Sequence, residues 1–203
     1  MQEPYDEFLA RFKERLFDLF HNVANINELS LNRGLPENIW DGIMAQKPLS
    51  VAIPTEYGGR GANVRECLGI LSAASYESLS LSLTFGINIA LFLEPVAKYA
   101  DEVIKAPIFR KFLEEKAMGG LMITEPDFGS DALSMRTSYT QEDNHYSLKG
   151  KKHWQGLTGM ANFWIVAARK KGENDHLGRD VEFFVTDDSK PEQKIIVDGY
   201  VRN

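Results

Sequence analysis

Leu121-Met-Ile-Thr-Glu-Pro-Asp-Phe-Gly-Ser-Asp131 is the most informative stretch of this 203-residue chain. It joins a short apolar run to a Thr-Glu-Pro break and a Gly-Ser-Asp turn. An apolar run that stops at Pro126 is typical of a strand end with exposed backbone polar groups. Gly129, followed by Ser130, lets the main chain come close to a flat or phosphorylated ligand. Each half alone would be an ordinary strand end or turn. Their combination predicts a ligand-binding loop.

The residues before this stretch have the periodicity of helices. Apolar side chains such as Phe8, Phe12 and Leu16 recur every three or four residues, which predicts one apolar helical face. Gly119-Gly120 is expected to close this helical region. Helices are predicted over residues 5–22, 36–45, 63–77, 82–99 and 103–117.

The residues after Gly120 form short β-rich runs separated by turn residues. Asp143-Asn144 and Lys149-Gly150 are interpreted as hairpin turns. Helices first and strands afterwards predict an α+β chain with two segregated domains, residues 1–118 and 119–203. Strands are predicted over residues 121–124, 135–140, 145–148, 151–155, 163–168 and 181–185, with a further strand and turn at 195–203.

The composition excludes several classes of function. The net charge of −6 argues against a nucleic-acid-binding protein, which needs a concentrated basic patch. The single cysteine, Cys67, cannot form an internal disulfide and is expected to be a buried structural thiol. The four histidines lack ligand spacing, so no metal site is expected.

Two features of the sequence bear on location. The N-terminus lacks the basic flank and apolar run of a secretory signal, which favours the cytoplasm. The apolar stretch Leu79–Leu93 is interrupted by serine, threonine, glycine and asparagine. It is interpreted as too short and too polar to span a bilayer, so no membrane partner is expected.

Tyr146-Ser-Leu-Lys-Gly-Lys-Lys-His-Trp154 is a second informative segment. Taken alone, a tryptophan at a strand end is more often a core or interface anchor. Together with Leu121–Asp131, however, this segment resembles the flavin-binding signature of the acyl-CoA dehydrogenase family. The glycine-rich stretch Ile53-Pro-Thr-Glu-Tyr-Gly-Gly-Arg-Gly61 also resembles a loop of that family, and is interpreted as a structural turn, since no lysine–hydroxyl pair follows it.

The resemblance implies the fold and the cofactor. It implies an N-terminal all-α domain followed by a small antiparallel β-barrel-like domain, without the family's C-terminal four-helix domain. The implied cofactor is FAD. Its expected contacts are the backbones of Leu121 and Ile123, the Thr124 hydroxyl, the Gly129-Ser130 turn, and the indole of Trp154.

The sequence departs from the family pattern after Trp154. The family usually has a Thr or Ser two residues after this tryptophan, and its hydroxyl points to the redox nitrogen of the flavin. Gly156 stands at that position here. The contact is therefore expected from the Gly156 backbone or from Thr158, unless it is missing. Gly86 and Asn88, on the helix that would wall the family's acyl pocket, are the expected substrate contacts, together with Ser130.

The resemblance also implies what this chain lacks. The family's last domain supplies the glutamate that removes the α-proton, and no carboxylate of this chain can be assigned that role. Neither Glu125 nor Glu94 lies in a motif for it. No catalytic residue is therefore expected.

Three functional hypotheses remain open. The first is a partial acyl-CoA dehydrogenase-like flavoprotein, inactive by itself, whose full-length form would convert an acyl-CoA thioester to the 2,3-enoyl product. The second is a related flavoenzyme, such as an acyl-CoA oxidase or a flavin monooxygenase-like member. The third is a degenerate protein that binds a thioester or a partner protein. The expected partners are an acyl-CoA, an electron-transfer partner, and further copies of the chain.

Overall fold

The computed structural model describes residues 3–31, 34–143, 145–172 and 176–193. They belong to two compact units, Met1–Ala117 and Met118–Asn203. The first unit is helical and the second contains a sheet, which confirms the predicted α+β order. The helices are α1 (Tyr5–Asp18), α2 (Ile26–Leu31), α3 (Glu37–Met44), α4 (Val64–Glu77), α5 (Leu79–Gly86), α6 (Glu94–Tyr99) and α7 (Glu102–Glu114), and the strands are β1 (Gly119–Met122), β2 (Ser138–Glu142), β3 (His145–Lys149), β4 (Phe163–Lys171) and β5 (Leu177–Asp187).

The core of the helical unit is built from the apolar faces that the sequence predicted. Phe8, Phe12 and Leu16 of α1 are all buried, because residues four apart lie on one face of a helix. After α1 the chain continues as a π-helical turn over Leu19–Val23. The short helix α2 was missed by the sequence analysis, since one and a half turns carry little periodic signal.

A second π-helical segment, Ile87–Leu93, joins α5 and α6 into one helix, Leu79–Tyr99. This helix has 21 residues, and its length and composition alone would suffice to cross a membrane. The expectation of a stretch too short for a bilayer was therefore wrong about length, because the helix runs past Leu93 and Pro95. Core helices pass the same test, so the absence of a membrane partner stays a prediction.

The half-buried Cys67 lies on α4. Burial, with smaller contributions from Glu94 and Glu66, raises the pKa of its thiol to about 11. The thiol is thus protonated at neutral pH, and a protonated thiol is a poor nucleophile. This agrees with the structural role expected from the sequence.

The glycine-rich segment 53–61 folds back on itself between α3 and α4. The amides of Gly59 and Gly61 donate to the carbonyl oxygens of Pro54 (3.1 Å) and Ile53 (2.9 Å). A Cβ on Gly59 would collide with the backbone carbonyl of Ile53. The loop is closed by its own main chain, which confirms the interpretation as a structural turn.

The sheet of the second unit is centred on β4. On one edge β4 pairs antiparallel with β5. On the other edge it pairs parallel with β1 at its start and parallel with β2 near its end, and β3 pairs antiparallel with β2. The expectation of an antiparallel sheet is therefore confirmed for β4–β5 and β2–β3. It is corrected for β1–β4 and β2–β4, which are parallel. The parallel pairings join strands far apart in sequence, which local hairpin signals cannot reveal.

Three local predictions in this unit are corrected. Gly119-Gly120 begins β1 and does not close the helical region. The hairpin turn predicted at Lys149-Gly150 and the strand predicted over residues 151–155 are absent, because this segment crosses the end of β1 without pairing along a neighbouring strand. By contrast, β2 and β3 form the predicted hairpin, since Glu142 pairs with His145; Asn144 of the predicted turn lies outside the described residues. The strand and turn predicted over residues 195–203 lie outside the described residues.

Candidate functional site

The residues predicted to contact a flavin along the main chain lie at the end of β1. Leu121 is inside the strand, opposite Ile165 of β4. Ile123 and Thr124 lie just beyond it, and all three side chains are half-buried. The strand end predicted before Pro126 is therefore present, although β1 ends two residues earlier than expected.

The chain then reverses direction in a tight turn. The Glu125 amide donates to the Phe128 carbonyl (3.0 Å), and the Phe128 amide donates to the Glu125 carbonyl (3.2 Å). Gly129 and Ser130 follow and are exposed. No atom lies within 4 Å of the position that a Cβ on Gly129 would occupy. The turn thus leaves open space beside the Gly129 backbone.

Two hydroxyl groups at this strand end are available to a ligand. Among the residues that the structure describes, neither the Thr124 nor the Ser130 side chain forms a hydrogen bond. The Thr124 side chain is half-buried and Ser130 is exposed. A hydroxyl that folding leaves unsatisfied can donate to, or accept from, a polar ligand edge.

The segment after β3 brings Trp154 to the same strand end. The His153 amide donates to the Thr124 carbonyl oxygen (2.8 Å). This hydrogen bond holds the next residue of the chain, Trp154, near the end of β1. Trp154 has a φ of 64°, a left-handed conformation that is costly for a bulky residue. The residue is nevertheless 68% exposed. A strained backbone that presents an exposed indole is a pattern associated with ligand-binding sites.

The residues after Trp154 only partly match the expected hydroxyl contact. Gly156 is exposed. Thr158 is half-buried, and its hydroxyl donates to the Gln155 carbonyl oxygen (2.8 Å). The Thr158 proton is therefore used within the loop. A contact to a ligand from this segment would have to come from the Gly156 backbone or from the oxygen lone pairs of Thr158.

A buried carboxylate that the sequence analysis left without a role lies directly behind these groups. Glu125 accepts hydrogen bonds from the amides of Arg136 (2.7 Å) and Thr137 (2.8 Å), from the Thr137 hydroxyl, and from the Lys152 ammonium (3.0 Å). Burial raises the pKa of this carboxyl, but the hydrogen bonds outweigh it and hold the pKa below its usual range.

The carboxylate of Glu125 is consequently not a free base. Four hydrogen bonds from Arg136, Thr137 and Lys152 hold it, and its side chain is 5% exposed. The expectation that this chain holds no catalytic residue stays a prediction. Glu125 forms a buried ion pair with Lys152. In the sequence, the only sign of this pair is an acidic residue at the end of an apolar run, a pattern too common to predict it.

The two substrate contacts predicted in the helical unit, Gly86 and Asn88, differ from each other in burial. Gly86 ends α5 and is half-buried. Asn88 is completely buried in the π-helical segment, and its amide group donates to the Thr84 carbonyl oxygen (2.8 Å). Both residues stay predicted substrate contacts. Across the part of the chain that the structure describes, no group of three or more metal-ligating side chains occurs.

Comparison with known proteins identifies the family. Residues 13–116 match the model of the acyl-CoA dehydrogenase N-terminal domain, and residues 120–198 match that of the acyl-CoA dehydrogenase middle domain. The mitochondrial isovaleryl-CoA dehydrogenase of Pongo abelii is 27% identical over 191 residues, which is 94% of this chain and 44% of that protein.

Two solved structures share the fold. The acyl-CoA dehydrogenase of Geobacillus kaustophilus has a TM-score of 0.78 at 20% identity, covering 94% of this chain and 50% of that one. The FAD complex of PigA has a TM-score of 0.77 at 17% identity, covering 94% and 49%. The fold and the two domain matches define a protein of the acyl-CoA dehydrogenase type. This chain belongs to the acyl-CoA dehydrogenase family and spans about half the length of these relatives.

Proposed function

We propose that this chain binds FAD at the end of β1, and that a full-length protein containing it oxidises an acyl-CoA thioester to the 2,3-enoyl product. The proposal rests on the family membership and on one observation above all. Trp154 is held in a left-handed backbone conformation and is exposed, and the preceding residue, His153, donates its amide to the Thr124 carbonyl oxygen. Folding alone gives no reason to keep a large aromatic residue there.

The residues present fit the cofactor. The Thr124 hydroxyl, which forms no hydrogen bond among the described residues, would hold the polar edge of the ring system. The open backbone at Gly129, with Ser130, would hold the pyrophosphate. Trp154 would lie along the ring. When bound, FAD supplies the hydride acceptor for the oxidation.

The same geometry supports binding without catalysis by the 203-residue chain itself. A dehydrogenation of this type needs a carboxylate free to take the α-proton of the thioester. Glu125 is enclosed by its own hydrogen-bond donors, and neither Glu125 nor Glu94 lies in a motif for proton abstraction. We therefore propose that this chain is not active alone.

Titration with FAD tests the proposal. The purified chain should bind FAD saturably, and the quenching of flavin fluorescence measures this binding. Anaerobic addition of butyryl-CoA to the complex should leave the visible flavin absorption unchanged. A chain that binds no FAD would overturn the proposed cofactor site, whereas bleaching by butyryl-CoA would overturn the proposed inactivity.

Trp154→Gly separates the function of the indole from its role in the fold. Glycine accepts a positive φ, which removes a strain of about 1–2 kcal/mol, while it adds about 0.4–1 kcal/mol of unfolded-state entropy. Stability to urea should therefore be unchanged or slightly higher. The affinity for FAD should fall about tenfold or more, since aromatic stacking worth roughly 1.4 kcal/mol is lost. Wild-type affinity in this variant would contradict the role of Trp154.

The remaining expectations are supported less directly. An acyl-CoA substrate and an electron-transfer partner are proposed from the family membership. The cytoplasmic location and the self-association expected from the sequence stay predictions.

A further inference from the structure

A buried ion pair joins the two segments that carry the proposed FAD contacts. The side chains of Glu125 and Lys152 are 5% and 6% exposed, and their charged groups are 3.0 Å apart. Lys152 also donates to the carbonyl oxygen of Ile123 (3.0 Å) and contacts the sulfur of Met135 (3.5 Å). The ammonium group therefore contacts the end of β1 on one side and the approach to β2 on the other.

The position of Gly150 makes this contact possible. A Cβ on Gly150 would lie 2.6 Å from the Cα of Thr137, closer than real atoms approach. Only a residue without a side chain lets the main chain after β3 come this close to the start of β2. Two residues later, the Lys152 side chain reaches the Glu125 carboxylate, which the Thr137 amide and hydroxyl hold from the other side.

The proposed ligand contacts adjoin this pair in the chain. Thr124 precedes Glu125, and Trp154 follows Lys152 by two residues. Between them the His153 amide donates to the Thr124 carbonyl oxygen. The backbone of Trp154 is strained, so some other interaction must hold it in place. The pair adjoins this segment in the chain, both Glu125 oxygens accept hydrogen bonds, and the Lys152 ammonium has three acceptors.

We propose that Glu125 and Lys152 are positioning residues, which hold Thr124 and Trp154 in the arrangement that binds FAD. This inference rests on the proposed function. In the proposed arrangement, neither the Glu125 nor the Lys152 side chain contacts FAD. Removal of one partner leaves the other charge buried and unpaired, so the two segments are expected to separate. Binding sites depend on such supporting contacts, since small displacements of the contacting groups weaken binding strongly.

The test compares Glu125→Gln with Glu66→Gln. Glu66 forms an ion pair of similar burial with Arg60 in the helical unit, with side-chain exposures of 13% and 8%. Both variants lose one buried charge, but only the first lies behind the proposed site. Glu125→Gln should weaken FAD binding about tenfold or more, while Glu66→Gln should change it less than about twofold. Circular dichroism at the titration temperature establishes that each variant is folded.

A lysine variant keeps the test decisive if Glu125→Gln does not fold. Lys152→Met removes the charge with little change in side-chain length and should weaken FAD binding about tenfold. Wild-type affinity in folded Glu125→Gln or in Lys152→Met would overturn the proposal. An equal loss in Glu66→Gln would also overturn it, since the effect would then be general destabilisation.

A measurement without FAD separates this inference from the proposed function. Hydrogen exchange of the His153 amide reports its bond to Thr124 directly. In Lys152→Met this amide should lose protection about tenfold or more, while the β4–β5 amides keep theirs. If the wild-type chain binds no FAD, the cofactor proposal fails, and the His153 amide still decides whether the pair positions the segments. Unchanged protection there would refute the positioning role.

Discussion

The two loops that contain informative glycines, residues 53–61 and 123–137, are built on opposite principles. In the first, Gly59 is packed against the backbone of Ile53, and main-chain hydrogen bonds close the loop. In the second, Gly129 faces open space, and the buried carboxylate of Glu125 closes the base of the loop. In the first loop glycine serves the fold, and in the second it leaves the space that we propose for the cofactor. A glycine in a loop can therefore serve close packing, as Gly59 does, or leave open space, as Gly129 does.

The largest effect is expected for Gly59→Ala. The added Cβ would meet the backbone carbonyl of Ile53, which cannot move aside like a flexible side chain. Overpacking of this kind should cost about 3 kcal/mol of unfolding free energy, at the upper end of the usual range. Urea denaturation measures it. A loss under about 1 kcal/mol would mean that the first loop is not closed by this contact.

Acid should affect the second loop through Glu125. The pKa of this carboxyl is lower in the folded chain than in the unfolded one, because hydrogen bonds favour its charged form. Its contribution to stability is therefore complete above the unfolded pKa, and it is lost as pH falls through the folded pKa.

Urea denaturation from pH 6 down to about pH 3 checks this, since unfolded carboxyls titrate near pH 4.3. Glu125→Gln should show a flatter decline than the wild type over this window. Parallel declines in the two proteins would show that Glu125 does not close the loop through its charge.

The smallest effect on stability is expected for Gly129→Ala. No atom lies near the added Cβ, so the unfolding free energy should change by less than about 0.5 kcal/mol. FAD affinity should nevertheless fall, because the side chain would occupy the space proposed for the cofactor. Titration and urea denaturation on the same preparation measure both. A stability loss comparable to that of Gly59→Ala would remove the contrast between the loops.

The sequence predicted those parts of the fold that depend on local periodicity. The face formed by Phe8, Phe12 and Leu16 was identified because helical spacing repeats over several turns. The strand over residues 151–155 was wrong because Trp154 has a left-handed backbone, which a β-rich composition does not reveal. The parallel pairing of β1 and β4 joins Gly119 to Phe163, a distance in sequence that no local pattern spans.

Those parts of the candidate site that lie in a sequence motif could be predicted, and the other parts could not. The strand end near Thr124 followed from the apolar run that stops at Pro126, and the placement of Trp154 beside it followed from the resemblance to the family. The pairing of Glu125 with Lys152 did not, because the two residues are 27 positions apart and each is an ordinary charged residue in the sequence. Their burial results from the approach of three segments, which only the three-dimensional structure brings together.

One edge of β4 serves both β1 and β2, and this has a consequence for how the sequence can change over evolution. Only Ala167 and Ala168 separate the two pairings, while the whole segment 123–137 connects them. With its base closed by Glu125, this connection could be lengthened at a cost of about 0.6 kcal/mol per doubling of the loop. The fold would accept insertions there that the proposed FAD site would not. Constancy of the loop length among relatives would therefore reflect selection for the ligand rather than for folding.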